Sequence, residues 1–155
     1  MYTSVVQVNA TEVRLYYTCG GTANTTALFL CVAVSQDGGV TFTKPLLDVV
    51  PYNGTRNTNI VFATPYGPGG HSGTGWANTV TLDTNPAATH RFILSYDTDT
   101  PPHSDRYLLI ASSDDGFHFT PQPTWAQGLG PGFADTQTVI YYNSNTDRYE
   151  VFIYI

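Results

Sequence analysis

Apolar residues in this chain gather in short runs separated by Asn- and Asp-rich turns. Val5-Val6-Gln7-Val8 passes through Asn9-Ala10-Thr11 into Val13-Arg14-Leu15-Tyr16-Tyr17. Thr79-Val80-Thr81-Leu82 passes through Asp83-Thr84-Asn85-Pro86 into Arg91-Phe92-Ile93-Leu94-Ser95-Tyr96. Thr138-Val139-Ile140-Tyr141-Tyr142 passes through Asn143-Ser144-Asn145 into Arg148-Tyr149-Glu150-Val151-Phe152-Ile153-Tyr154. Each reads as strand, turn, strand. After the first two come further apolar runs, Leu28-Phe29-Leu30-Cys31-Val32-Ala33-Val34 and Tyr107-Leu108-Leu109-Ile110-Ala111. Each of these leads into an octet bearing Asp and Gly, with a proline close behind (Pro45, Pro121). The repeated order is strand, strand, loop, strand, turn, strand. It predicts an all-β chain forming one domain over 1–155, with units at about 1–50, 57–124 and 135–155, the last holding only two strands. Aligning Val6, Val80 and Val139 gives offsets of 74 and 59 residues. The inequality places an insertion before the second copy, and the loop-like stretch Tyr66–Gly75 is its candidate. On the same alignment Arg14, Arg91 and Arg148 fall at matching second-strand positions and read as framework residues.

The octets carry the most information. Ser35-Gln36-Asp37-Gly38-Gly39-Val40-Thr41-Phe42 and Ser112-Ser113-Asp114-Asp115-Gly116-Phe117-His118-Phe119 both read S-x-D-x-G-x-x-F, with starts 77 residues apart. Asp at the third position can accept backbone N–H bonds within its own turn. Gly at the fifth supplies a positive φ, and the closing aromatic folds back on a sheet face. The octet resembles the Asp-box of sialidase-like propeller proteins, S-x-D-x-G-x-T-W, with Phe in place of Trp and, in the second copy, His118 in place of Thr. That resemblance implies four-stranded antiparallel blades. The expected architecture is a partial β-propeller of two such blades plus the first two strands of a third. A blade cannot bury both faces alone, and known rings close with roughly four to eight, so the chain is expected to be a fragment. Asp37, Asp114 and Asp115 then mark the outer hairpin and carry no chemistry.

Composition fits and narrows the picture. Among 155 residues there are 21 aromatics, 14 glycines, 10 prolines and a single lysine, Lys44. Scarce helix formers argue against bundles and coiled coils, and 41% hydrophobic residues argue against disorder. A net charge of −6 with six scattered cations speaks against a nucleic-acid partner. No apolar run reaches the roughly 18 residues of a membrane span, and the first residues lack the pattern of a signal peptide. Asn9, Asn24 and Asn53 each begin an N-glycosylation acceptor triplet; with the resemblance below, they make an extracellular or secreted full-length protein the expectation. Cys19 and Cys31 fall in neighbouring strands, where a cross-strand disulfide and two buried thiols are both open.

Further strings resemble the five-bladed propeller glycosidases of the invertase, levanase and arabinanase group, glycoside hydrolase families 32 and 43, especially bacterial family 32-like members. They are Tyr16-Tyr17-Thr18-Cys19, Ala33–Gly39 with Thr41–Pro45, Tyr52-Asn53-Gly54 with Asn59-Ile60-Val61, Leu82–Pro86 and Asp135-Thr136-Gln137. The resemblance spans nearly the whole chain. It implies hydrolysis of a glycosidic bond in an oligo- or polysaccharide, with no cofactor. The W-M-N-D-P-N-G, R-D-P and E-C strings that carry the carboxylates of retaining invertase-group enzymes are missing here. Glu12 and Glu150 fall early in second strands instead. Hydrolysis needs two carboxyl groups about 5 Å apart for retention or about 6.5–9.5 Å for inversion, and this chain does not by itself supply an evident pair.

The resemblance also says where a site would lie: on the ring axis, near the start of strand 1 of each blade. Asp135 is the one carboxylate so placed, entered through the loop Gly128–Gly132, and is the catalytic candidate as general base, transition-state stabiliser or hydroxyl acceptor. The substrate-binding candidates are Gln137 beside it, Asn78 and Trp76 at the second unit, and His71 in the Gly/Ser loop. Trp76 suits stacking on a sugar ring, but equally packing between blades. His90, His103 and His118 form no cluster with carboxylates, so no transition-metal site is expected. Asp97-Thr98-Asp99-Thr100 with Asp105 reads as a solvated acidic loop, with weak Ca²⁺ binding as the alternative. Two other functions compete with the glycosidase. A sialidase-like enzyme needs an arginine cluster, which repeating framework arginines do not give. A non-catalytic propeller binding glycans or proteins needs no carboxylate pair.

Overall fold

The computed structural model describes residues 3–20, 28–63, 78–100, 105–122 and 138–153, and every regular element among them is a strand. Among these residues no helix is long and apolar enough to cross a membrane. Sheet 1 contains β1 (Thr3–Gln7), β2 (Val13–Gly20), β3 (Leu28–Ser35) and β4 (Ile60–Phe62). Sheet 2 contains β5 (Thr79–Leu82), β6 (Phe92–Thr100), β7 (Asp105–Ser113) and β8 (Thr120–Pro121). Sheet 3 contains β9 (Val139–Asn143) and β10 (Arg148–Phe152). In every sheet the strands lie in chain order and pair antiparallel. The all-β, antiparallel expectation therefore holds.

Sheet 1 runs past the boundary expected at residue 50. Both sheets leave the octet alike, Thr43 bridging Val34 as Thr120 pairs with Ser112. In sheet 1 the chain then turns away at Pro45, which has no N–H to continue a ladder. It loops through bridges Leu47–Thr58 and Tyr52–Thr55, the latter closed over Asn53 and Gly54, both at positive φ. Asn-Gly is the preferred pair for such a tight turn. The chain returns at Ile60–Phe62 to pair with Leu30 and Cys31. A disulfide joins Cys19 to Cys31 across β2 and β3, with Cα atoms 5.8 Å apart.

The sheets stack face to face because their strands alternate. Along β6, Phe92, Leu94 and Tyr96 join Val6, Tyr16, Leu30, Val32 and Phe62 of sheet 1 in one apolar cluster. The intervening Ile93 turns the other way and clusters with Ile110 and Ile140, toward sheet 3. A period of two puts successive side chains on opposite faces, so sheet 2 has apolar side chains buried on both. Each large buried side chain contributes about 1.5–3 kcal/mol. The first strands lie side by side, β1 against β5 and β5 against β9. Val80 N–H donates to Ser4 Oγ at 3.0 Å, and Thr81 Oγ1 donates to the Ile140 carbonyl at 2.8 Å.

The two octets fold into the same turn, but one residue out of the expected register. In the first, Ser35 Oγ donates to Asp37 Oδ1 (2.6 Å) and receives Gly39 N–H (2.8 Å). Asp37 also accepts Val40 N–H (3.1 Å), Thr41 N–H (2.9 Å) and the Thr41 hydroxyl (2.6 Å). In the second, Ser113 and Asp115 do this work, not Ser112 and Asp114. Ser113 Oγ donates to Asp115 Oδ1 (3.0 Å) and receives Gly116 N–H (2.9 Å). Asp115 accepts Phe117 N–H (2.7 Å) and His118 N–H (2.9 Å), and His118 Nδ1 lies 2.7 Å from Asp115 Oδ2 in the place of the Thr41 hydroxyl. The second turn is thus one residue shorter. The shared spacing puts Ser112 and Asp114 in these roles, and the hydrogen bonds correct it to Ser113 and Asp115 because a shorter turn moves the pair one residue along. Ser112 stays in β7 and accepts Gln122 Nε2, while Asp114 meets His90 at 2.9 Å.

The second turn is docked on sheet 1. Arg14 Nη1 donates to the Asp115 carbonyl and Tyr16 OH to the Gly116 carbonyl at 3.0 Å. The Arg14 guanidinium lies 4.0 Å from the Phe117 ring centre, and its Nε bonds Glu12 at 2.7 Å. Burial pushes the Tyr16 hydroxyl up to about 12, so it stays a donor. Arg91 is not the equivalent of Arg14: it precedes β6 and donates to the Val8 carbonyl at 2.8 Å.

Candidate functional site

Two regions concentrate polar side chains. The first is at the end where β5 and β9 begin, where sequence reading placed the site. Asn78, Thr79, Thr18, Ser95, Asp97 and Thr138 are all buried there. Asn78 stands just before β5 and sends its amide Nδ2 to Thr18 Oγ1 across the junction of sheets 1 and 2, at 3.4 Å. Its exposure is 2%, so it is packed inside this junction. At the junction of sheets 2 and 3, Ser95 Oγ donates to the Thr138 carbonyl at 2.6 Å. Asp97 lies two residues further along β6 on the same face, 1% exposed. Asp135, Gln137, Trp76 and His71 lie outside the described residues.

Sequence reading missed Asp97 as a buried carboxylate. The Asp-Thr run reads as a solvated loop, yet Asp97–Thr100 continue β6 and pair with Asp105–Leu108 of β7. The available signal was alternation: Ile93, Ser95 and Asp97 continue one face while Phe92, Leu94 and Tyr96 continue the other. Charged side chains are seldom this deeply buried, and Asp97 is the one buried acidic residue among the described residues. Among the described residues no group of three His, Cys, Asp or Glu side chains is placed to hold a metal ion.

The second region is at the opposite end, between the 83–91 connection of sheet 2 and β9–β10. A cavity of about 520 Å³ opens there, with Ile93, Ile110, Ile140 and Val151 as an apolar floor. Its rim is polar. Tyr149 OH donates to Asp83 Oδ2 at 2.8 Å and receives Asn85 Nδ2 at 3.1 Å. Burial, and then the bond to Asp83, pushes the Tyr149 hydroxyl up from its ordinary value. His90 also lines the cavity and is held by Asp114. Among the described residues, Asp83 is the carboxylate on the rim. The rim can bind polar groups over an apolar base, and alone it cannot supply the two carboxyl groups of glycoside hydrolysis. Sequence reading missed it because Asp83 and Asn85 are turn residues whose approach to Tyr149 is made only by stacking sheet 3 on sheet 2.

No known protein family, curated protein or solved structure matches this chain.

Proposed function

We propose that this chain is a section of a carbohydrate-active β-propeller whose activity is hydrolysis of a glycosidic bond. The observation that carries this is repetition in space. Two four-stranded antiparallel sheets in chain order stack through their first strands, each with an Asp-centred turn between its third and fourth strands. That agrees with the blade order of the glycosidase propellers that the sequence resembles. The Cys19–Cys31 disulfide supports an extracellular or otherwise oxidising location. On this reading oligo- or polysaccharide meets the protein at the end where β5 and β9 begin. Asp135 acts on the bond, and Gln137, Asn78, Trp76 and His71 form the binding candidates.

The test is release of reducing sugar from fructans, arabinans and sialosides, with Asp135→Asn and Asp97→Asn alongside. Activity lost in Asp135→Asn and kept in a cavity variant such as Tyr149→Phe supports the reading. Full activity in Asp135→Asn removes Asp135 from the chemistry. The polar rim of Tyr149, Asp83 and Asn85 over an apolar floor favours a second reading, a propeller that binds glycans without cleaving them. Glycan binding lost in Tyr149→Phe, with no sugar released from any substrate, would favour it over the first.

A further inference from the structure

The chain between the first octet and β4, residues 45–59, lies across sheet 1 as a strap. It is tied to itself by the bridges Leu47–Thr58 and Tyr52–Thr55. Thr58 Oγ1 donates to the Val50 carbonyl at 2.8 Å, and Arg56 pairs with Asp48 at the surface. The apolar side of the strap, Val50 and Tyr52, packs on a cluster of Phe29, Cys31 and Ile60, with Tyr17 and Cys19 at its margin. The Tyr52 ring meets the Phe29 ring edge-on, centres 5.2 Å apart. Both cysteines of the disulfide therefore belong to the surface on which the strap sits.

Cys31 is the node of this arrangement. β4, to which the strap leads, makes the register pairs Leu30–Phe62 and Cys31–Ile60, with a shift between them. A strand of three residues has little hold of its own, so the seat of the strap depends on where Cys31 stands, and the bond to Cys19 fixes that. The remaining ties are polar. Val32 N–H donates to the Asn59 carbonyl at 3.0 Å, and Asn59 Nδ2 donates to Tyr17 OH and the Val32 carbonyl, both at 2.8 Å. Breaking the disulfide obliges two sulfurs to part to ordinary contact distance inside a close-packed cluster. Crowding of that kind displaces whatever gives most easily. Phe29, Cys31 and Ile60 are buried in strands, while Val50 and Tyr52 are half-buried on a loop, so the strap is the wall that yields.

We propose that the Cys19–Cys31 disulfide is a redox latch for this strap: oxidised, it keeps the strap seated on sheet 1, and reduction by a dithiol lets the strap lift while sheets 1 and 2 stay stacked. The step is thiol–disulfide exchange. A thiolate of the dithiol attacks one cysteine sulfur, forming a mixed disulfide and expelling the other cysteine as a thiolate, which takes up a proton. The second thiolate of the dithiol then attacks the reagent sulfur of the mixed disulfide. That closes the reagent into a cyclic disulfide and releases the second cysteine, which is protonated in turn. The protein gains two electrons and two protons, and the dithiol loses them. The face of β2 and β3 that packs on sheet 2 carries Tyr16, Leu30 and Val32 and neither cysteine, so the stacking is spared. The latch is independent of any action on carbohydrate.

Nuclear Overhauser spectra of the labelled 155-residue chain, before and after dithiothreitol, test it. The oxidised chain is expected to give cross-peaks between the Tyr52 and Phe29 rings and between the Tyr16 and Phe119 rings. On reduction the first set is expected to vanish and the second to remain. Arg56 is the one basic residue of the strap. Trypsin cleavage after it is expected to quicken at least about tenfold on reduction, since proteolysis follows the open population. Reoxidation is expected to reverse both changes. The double variant Cys19→Ser/Cys31→Ser is expected to behave as the reduced chain and to ignore dithiothreitol. Tyr52–Phe29 cross-peaks that survive complete reduction overturn the proposal, as does an unchanged cleavage rate. Loss of the Tyr16–Phe119 cross-peaks at the same time also overturns it, because the sheets have then come apart with the strap. A response of the double variant to dithiothreitol does so too, because the reagent is then acting elsewhere.

Discussion

Gly38 and Gly116 share one backbone angle, φ +75°, but not one environment. A Cβ on Gly38 meets nothing within 4 Å, while on Gly116 it comes within 2.5 Å of Arg14 Nη1 and 2.6 Å of Tyr16 OH. Gly38→Ala is expected to cost about 1 kcal/mol, the penalty of a left-handed conformation. Gly116→Ala is expected to cost clearly more in urea unfolding, because it also drives sheet 1 from the turn. Equal losses would mean the docking is not there. The carboxyls at the two turns make a pH prediction. Bonds from Ser35 and Thr41 hold Asp37 well below the usual carboxylate range. Burial pulls Asp115 upward, but bonds from His118, Phe117 and Ser113 outweigh it, and it too is lowered. A depressed folded pKa adds stability above the unfolded value of about 4, lost as pH falls toward the folded one. The melting temperature should therefore decline below about pH 4, and Asp37→Asn should flatten part of that decline. A melting curve unchanged in Asp37→Asn would dismiss the turn bonds as a source of stability. These roles were half legible: the octets announced turns, but equal spacing pointed to Ser112 and Asp114, and a turn shorter by one residue gives the work to Ser113 and Asp115.

Strand order was the most legible feature of the chain. Alternation in β2, β6 and β10 and Asn- or Asp-rich turns between partners encode hairpins locally, so neighbours in sequence become neighbours in the sheet. The fourth strand of sheet 1 was not legible. Ile60–Phe62 is three residues long and reaches β3 only after a detour that Pro45 begins, and short apolar runs carry little period. Acidic Asp97 was hidden in the same way, its composition pointing to a loop and its face to a strand. The disulfide belongs to this scale, since sequence left it open and the pairing of β2 with β3 brings the two cysteines together. It spans 12 residues, and a loop of that size is expected to contribute about 3 kcal/mol by restricting the unfolded chain. Reduction should lower the urea midpoint accordingly. An unchanged midpoint would show that β2 and β3 hold without it.

At the scale of the molecule, sheet 2 is the pivot, since its two faces carry different clusters, one shared with sheet 1 and one with sheet 3. Repetition in sequence foretold repeated sheets. What it did not give was the apposition of Asp83, Asn85 and Tyr149, which exists only once sheets stack, and four of the five sequence-chosen site residues lie outside the described residues. The interior predicts that Phe92→Ala, emptying the sheet 1–sheet 2 interface, costs about 3–5 kcal/mol, measured by urea unfolding; a loss below about 1 kcal/mol would place Phe92 outside a packed core. The stacking itself is tested most directly by nuclear Overhauser contacts in the labelled chain. Side-by-side first strands predict cross-peaks from Val80 N–H to the Ser4 side chain, from Thr81 to Ile140, and from Tyr16 to Gly116 and Phe119. Intact hairpins within each sheet but none of these cross-sheet contacts would contradict the account.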